Sequence, residues 1–282
     1  MEITKSLDSK IMVKAPYNIL YDLQTTHEGS ITAKVKNEFS LPEEHGPISA
    51  SEAGRHLAIL GSIALSHKSE ESNYYLAKEA EIKRQSTSVG QSEVFYAQST
   101  VISQNKRTGE VAGRILDKNH HEIYSIVVKY QIINTTLFAK LFRGFHNQEP
   151  IYNTTSPYQS RKELSEITIT EDEITANYGT VLANECEGHF KDYPALPVAI
   201  ICNSFTSLGL KLFLNTNAHK FTKAMATHAL IKADRLVFSG EQLSFKGIIK
   251  HESQDNNTMT VYFEGLVNHK KVAEATFTIL GV

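Results

Sequence analysis

Gly188-His189-Phe190-Lys191-Asp192-Tyr193-Pro194-Ala195-Leu196-Pro197, followed by the apolar run Val198-Ala199-Ile200-Ile201-Cys202, sets a histidine in a loop directly ahead of a helix. Pro194 and Pro197 restrain the backbone, and Pro197 falls where a proline is best tolerated, at the first turn of a helix. A side chain at such a place lies beside backbone N–H groups that have no intrahelical acceptor and beside the positive end of the helix dipole. His189 therefore reads as an acid/base group next to a ready oxyanion site, the alternative being a histidine that only hydrogen-bonds within its loop. Gly188 supplies the backbone freedom that so tight a loop requires.

Upstream of this stretch lies the strand-like Ile174-Thr175-Ala176-Asn177-Tyr178-Gly179-Thr180, and downstream Arg235-Leu236-Val237-Phe238-Ser239-Gly240-Glu241-Gln242-Leu243. With Glu187-Gly188-His189-Phe190, Pro194 and Pro197 between them, the passage resembles the G-H-F-P-x-x-P-x-x-P-G signature and flanks of the 3-hydroxyacyl-(acyl-carrier-protein) dehydratases, which have the hotdog fold. The resemblance covers roughly the last 115 residues. Lys191 stands where that family has Pro, and Val198 where it has Gly. The helix acid expected fourteen residues after the histidine is Asn203 (189 + 14), which cannot give a proton as a carboxylic acid does.

Composition narrows the field. The 282 residues, 41% hydrophobic and 21% charged, are ordinary for a globular protein and suffice for one large core or two smaller ones. With 29 basic and 31 acidic residues the net charge is −2, so no strong field favours nucleic acid or an anionic membrane. Cys186 and Cys202 are too few for a disulfide framework and have no neighbours suggesting a zinc site. The start, Met1-Glu2-Ile3-Thr4-Lys5-Ser6, lacks a signal-peptide core, and no apolar run reads as a membrane span. The expectation is a cytoplasmic protein without metal or organic cofactor.

The first half has the same order of elements as the second. Gly29 to Val35 alternates as a strand, Ser51 to Leu65 reads as a helix wrapped by sheet, and strands follow at Tyr74 to Ile82, Ser92 to Ser103, Val111 to Leu116 and Ile123 to Ile133. Ala15 to Gln24 has helix-like spacing. In the second half the series is a strand near Ile174 to Leu182, a helix over Pro197 to Leu214, and strands near Ala229 to Val237, Leu243 to Lys250, Met259 to Val267 and Lys271 to Leu280. Leu57-Ala58-Ile59 matches Leu208-Gly209-Leu210 at an offset of 151 (208 − 57), which reads as a duplicated domain. Leu137 to Phe145 predicts a short amphipathic helix over a sheet edge; its Phe142-Arg143-Gly144-Phe145-His146 packs inward or, as an alternative, docks an acidic carrier protein. The expected fold is α+β, a double hotdog of two curved antiparallel sheets each wrapped around a central helix, with residues 1–147 as the first domain, 148–165 as linker and 166–282 as the second.

At the offset of 151, Glu38 (189 − 151) is the counterpart of His189, Phe39 of Phe190, and Glu52 (203 − 151) of Asn203. In the family this chain resembles, each site takes its histidine from one hotdog and its acid from the other. The resemblance thus implies one composite site, His189 as base and Glu52 as acid, with Gly188, Phe190, Val198, Ala199 and Asn203 around the substrate. The alternative reading of Glu52 is a first-turn acid that favours the helix dipole. His45 is a weaker rival to His189, and His56 reads as packing or surface. The implied activity is dehydration of a 3-hydroxyacyl thioester, or hydration of an enoyl thioester, carried on acyl-carrier protein or coenzyme A, in a pseudo-dimeric monomer or a homodimer. A hotdog thioesterase using Glu52 or Asn203 with water, and a non-catalytic acyl-binding subunit, are the competing readings.

Overall fold

Two helices buried on almost every face, Ala50–His67 and Val198–Thr216, set the architecture of the computed structural model. The structure describes residues 7–38, 41, 43–67, 69–87, 93–147, 155–253, 255 and 257–282. In chain order the elements are β1 (Tyr21–Thr25), β2 (Ile31–Lys36), α1 (Ala50–His67), β3 (Asn73–Arg84), β4 (Val94–Gln104), β5 (Thr108–Leu116), β6 (Glu122–Asn134) and α2 (Thr135–Leu141). There follow β7 (Ser165–Ile169), β8 (Glu173–Thr180), β9 (Ala195–Leu196), α3 (Val198–Thr216), β10 (Ala224–Ala233), β11 (Val237–Phe238), β12 (Gln242–Ser253), β13 (Thr258–Val267) and β14 (Lys270–Gly281).

Twelve strands form one antiparallel sheet in the order β1-β2-β4-β5-β6-β3-β10-β14-β13-β12-β8-β7. The two halves are images of one another, joined where β3 pairs with β10 from Lys83↔His228 to Glu79↔Lys232. That join removes one free strand edge from each half. Strict alternation along β13, buried at Met259, Val261, Phe263, Gly265 and Val267, turns one sheet face onto α3. Ser49 starts α1 by accepting the Glu52 amide on its Oγ at 3.1 Å, while Glu44 Oε1 accepts the Ala50 amide at 3.2 Å. Pro197 precedes α3 and has no side chain with which to cap it. By length and apolarity α3 is the one helix among the described residues that qualifies for a membrane span, and here it is a core helix packed between the sheet and α1.

Three expectations are corrected. Ala15 to Gln24 is not helical: a turn is followed by β1, because pairing with β2 (Thr25↔Ile31) satisfies a backbone that Pro16 bars from continuous helix. The segment Leu137 to Phe145 forms α2 and a 3-10 turn over Arg143–Phe145, but it covers interior strands β3 and β6 rather than an edge. Phe138 anchors it, buried and stacked on Tyr74 with ring centroids 3.5 Å apart. The offset of 151 fails in the helices, which begin at Ala50 and Val198 (198 − 50 = 148). Gly61 and Gly209 also differ by 148 and meet equivalent strands, Gly61 at Tyr130 and Val111, Gly209 at Ile279 and Phe263. Asn203 therefore corresponds to Arg55, and Glu52 to Ile200. Phe39 and residues 148–154 of the expected linker lie outside the described residues; β7 begins at Ser165.

The His189 loop is pinned by the N-terminal segment of the other half. The Lys14 amide donates to Gly188 O at 2.7 Å, and Val13 bridges His189. Gly188 has φ +77, and a Cβ there would meet the Lys14 carbonyl and stand 2.8 Å from Tyr17 N, whereas Gly240, at φ +89, has open space. Gly188→Ala should accordingly lose about 2–5 kcal/mol of stability, from left-handed strain plus backbone overlap, against about 1–2 kcal/mol for Gly240→Ala. Chemical denaturation of the two variants checks this ordering.

Candidate functional site

Glu52 sits in the first turn of α1 and is only 2% exposed. Its Oε1 accepts the Glu38 amide at 2.6 Å, whereas its Oε2 has no partner among the described residues. Burial pushes the carboxyl up to about 7, and the Glu38 amide and the nearby Arg55 and Arg161 oppose that shift. Asn203, on the facing helix α3, is 9% exposed, and its Oδ1 likewise lacks a partner. Both residues line one cavity of about 350 Å³ whose wall includes Ser51, Arg55, Ala199, Ser204 and Tyr178. Two buried, unsatisfied oxygens that share a cavity are what a polar ligand or water would occupy, since leaving such groups unpaired is costly.

Arg55 is one turn from Glu52 and only 3% exposed. Its Nε donates to Tyr17 O at 3.0 Å, its other nitrogens to Glu38, Tyr17 O and Pro16 O, and its guanidinium lies 4.8 Å from the ring centroids of both Tyr17 and Tyr158. Neither this network nor His56, fully buried next to it, has a local sequence signal beyond a lone cation in an otherwise nearly uncharged helix. Arg55 lines the Glu52 cavity.

His189 is built differently. Its Nδ1 lies 2.7 Å from the Ala195 carbonyl, which can only accept, so Nδ1 carries the proton and Nε2 is left with its lone pair. Burial pulls the imidazole down to about 4, partly offset by that carbonyl, and keeps it neutral. Its ring stacks on Phe190, centroids 4.0 Å apart, and meets Tyr17 edge-on at 5.1 Å. Phe190 holds φ +59, a costly conformation for an aromatic residue, and is kept there by edge contacts with Tyr74 and Phe138.

The resemblance implied that His189 and Glu52 face one another; the two line different cavities. His189, Phe190, Val198 and Ala199 line a second, mainly apolar cavity of about 230 Å³, among whose lining residues Glu52 and Asn203 do not appear. Tyr17 touches both His189 and Arg55. The two cavities share Ala199, which also borders a small apolar cleft of about 50 Å³ between α1 and α3. Gly188 lines neither cavity; its role is the close approach to Lys14 and Tyr17. Glu38 is not the positional counterpart of His189, since it lies twelve residues before α1 (50 − 38) and His189 nine before α3 (198 − 189). His45 lines neither cavity.

No family model and no curated protein matches the sequence. Solved structures do match the architecture. A proposed oleoyl thioesterase from Lactobacillus plantarum superposes with a TM-score of 0.61 at 13% identity, over 90% of this chain and 96% of that one. The fold is a double hotdog. An acyl-ACP thioesterase from Bacteroides thetaiotaomicron gives a TM-score of 0.54 at 16% identity over 91% and 100% of the two chains, and a 12:0-ACP thioesterase from Umbellularia californica gives 0.61 at 7% over 90% and 95%. Both span nearly all of each chain, so both hotdog units and their order are shared.

The raised carboxyl has a consequence for this double hotdog's stability. Between the ordinary glutamate pKa and about 7 the folded state binds the Glu52 proton more tightly than the unfolded state, so this group's contribution falls as pH rises through that window and is flat above it. Glu52→Gln removes the dependence. Melting curves of both proteins at pH 5 and pH 8 should show the variant gaining at least about 2 °C relative to the wild type at the higher pH.

Proposed function

We propose that this chain hydrolyses an acyl thioester in the cavity between α1 and α3, with Glu52 as general base. The observation that carries the reading is the buried Oε2 of Glu52 in the same cavity as the Oδ1 of Asn203, neither with a partner among the described residues. A carboxyl held near 7 is in part ionised at neutral pH, and its proton affinity is high enough to draw a proton from water. Water, held by Glu52 and Asn203, attacks the thioester carbonyl carbon as its proton passes to Oε2. The C–O bond forms while the carbonyl electron pair moves to oxygen, where the uncapped first-turn amides of α3, near Ala199, stabilise it. Collapse breaks the C–S bond, and the thiolate takes the proton back from Glu52, leaving a free acid and a free thiol. The apolar cleft and cavity beyond Ala199 suit the acyl chain, and the handle is acyl-carrier protein or coenzyme A.

Dehydration of a 3-hydroxyacyl thioester is the second reading. A specific observation favours it: the neutral His189, its tautomer fixed by Ala195, lies in the cavity that also holds Val198 and Ala199 from the start of α3. In that reaction His189 Nε2 removes the α-proton, and the second acid must come from a group in its own cavity.

A panel of saturated, 3-hydroxyacyl and enoyl thioesters, read for free thiol and for enoyl product at once, separates the two. Hydrolysis predicts thiol release from saturated substrates, with turnover reduced about 10²-fold or more in Glu52→Gln and about 10-fold in Asn203→Ala, and with His189→Ala affecting KM more than kcat. Enoyl product without thiol release, abolished in His189→Ala and retained in Glu52→Gln, replaces the hydrolase with the dehydratase.

A further inference from the structure

His56 lies one turn after Glu52 on α1 and is 0% exposed. Among the described residues neither of its ring nitrogens has a hydrogen-bond partner. A neutral imidazole carries one donor and one lone pair, and burying both unpaired costs stability that a leucine or phenylalanine of similar bulk would not. Packing alone therefore leaves the choice of residue unexplained. The polar atom it does approach is Glu52 Oε1, 3.7 Å from His56 Nε2. The charged groups facing the pair are Arg55 on the same helix, Glu38 from the segment after β2, and Arg161 from the segment before β7, with Asn203 opposite on α3.

We propose that His56 is a positioning residue for Glu52: in its neutral form it donates Nε2–H to Oε1 once the carboxyl ionises, so that Oε1 is held from behind and Oε2 alone faces the cavity. The inference deepens the hydrolytic reading and rests on it for its catalytic meaning. Oε1 is already bonded to the Glu38 amide at 2.6 Å, and a second donor there fixes the plane of the carboxylate. The remaining 3.7 Å lies just outside bonding range, so a small side-chain adjustment closes the contact. Burial and the adjacent Arg55 pull the His56 imidazole down to about 3, so His56 serves as a neutral donor and does not take the Glu52 proton. A donor to the ionised form lowers a carboxyl's pKa, so the proposed bond acts with the Glu38 amide against the burial-driven rise.

The test is a carbon-13 titration of carboxyl-labelled glutamate in the intact protein, with Glu52 assigned by its loss in Glu52→Gln. His56→Phe should move the Glu52 midpoint upward by about one unit, and His56→Gln, which restores an N–H donor, should return most of that shift. In the wild type, nitrogen-15 shifts of His56 at pH 8 should show the proton on Nε2. An unmoved or lowered midpoint in a folded His56→Phe, or a proton on Nδ1, overturns the proposal. If His56→Phe does not fold, the glutamine variant and the wild-type tautomer decide the matter. The titration does not depend on turnover: an active Glu52→Gln enzyme overturns the hydrolytic reading while leaving the coupling between His56 and Glu52 measurable.

Discussion

One buried guanidinium holds the two halves to their common centre. Arg55 gathers the carbonyls of Pro16 and Tyr17, the Glu38 carboxylate, and the rings of Tyr17 and Tyr158, so that three separate stretches of chain meet at one side chain of α1. Tyr158 in turn donates to Glu187 O at 2.7 Å, just ahead of the His189 loop. The arrangement places a cation where its hydrogen bonds are met from fixed backbone, the condition under which a buried charge is tolerable. It also orders the segment that carries Tyr17, whose ring meets His189 edge-on.

His189 and Glu52 line different cavities. His189 has its tautomer fixed and its imidazole kept neutral, and Glu52 has a carboxyl held near neutrality; each is poised by burial within its own cavity. The two cavities share Ala199 at the start of α3, and the small cleft between α1 and α3 borders both, through Ser51 on one side and Ala58 and Val198 on the other. On the proposed reading the polar cavity takes water and the carbonyl and the apolar one the hydrocarbon chain.

Much of the fold was readable from the sequence. Alternation locates most of the strands to within a few residues, and the repeated order of elements implies a pair of equivalent units. The helical register was not readable, for a physical reason. The offset of 151 differs from the structural 148 by three residues, close to one helical turn, so the apolar stripe of α1 overlays that of α3 almost equally well in either register. Gly61 and Gly209 decide it, because each lies where a Cβ would crowd a strand side chain, and that contact is tertiary. Of the candidate site, His189, Phe190, Val198 and Ala199, all from one continuous motif, line one cavity. Glu52 and Asn203 line another together with Arg55, whose bonds to Tyr17 and Glu38 are tertiary and have no local sequence signal.

The central claim is that Glu52 takes a proton from water rather than giving one to a leaving hydroxyl, and the pH dependence of kcat/KM on a thioester substrate tests it most directly. As a base with its carboxyl near 7, Glu52 predicts a rate that rises through about pH 7 and levels above it, a limb that disappears in Glu52→Gln. A rate that falls through the same pH, with the limb still assigned to Glu52, would make it an acid and contradict the account.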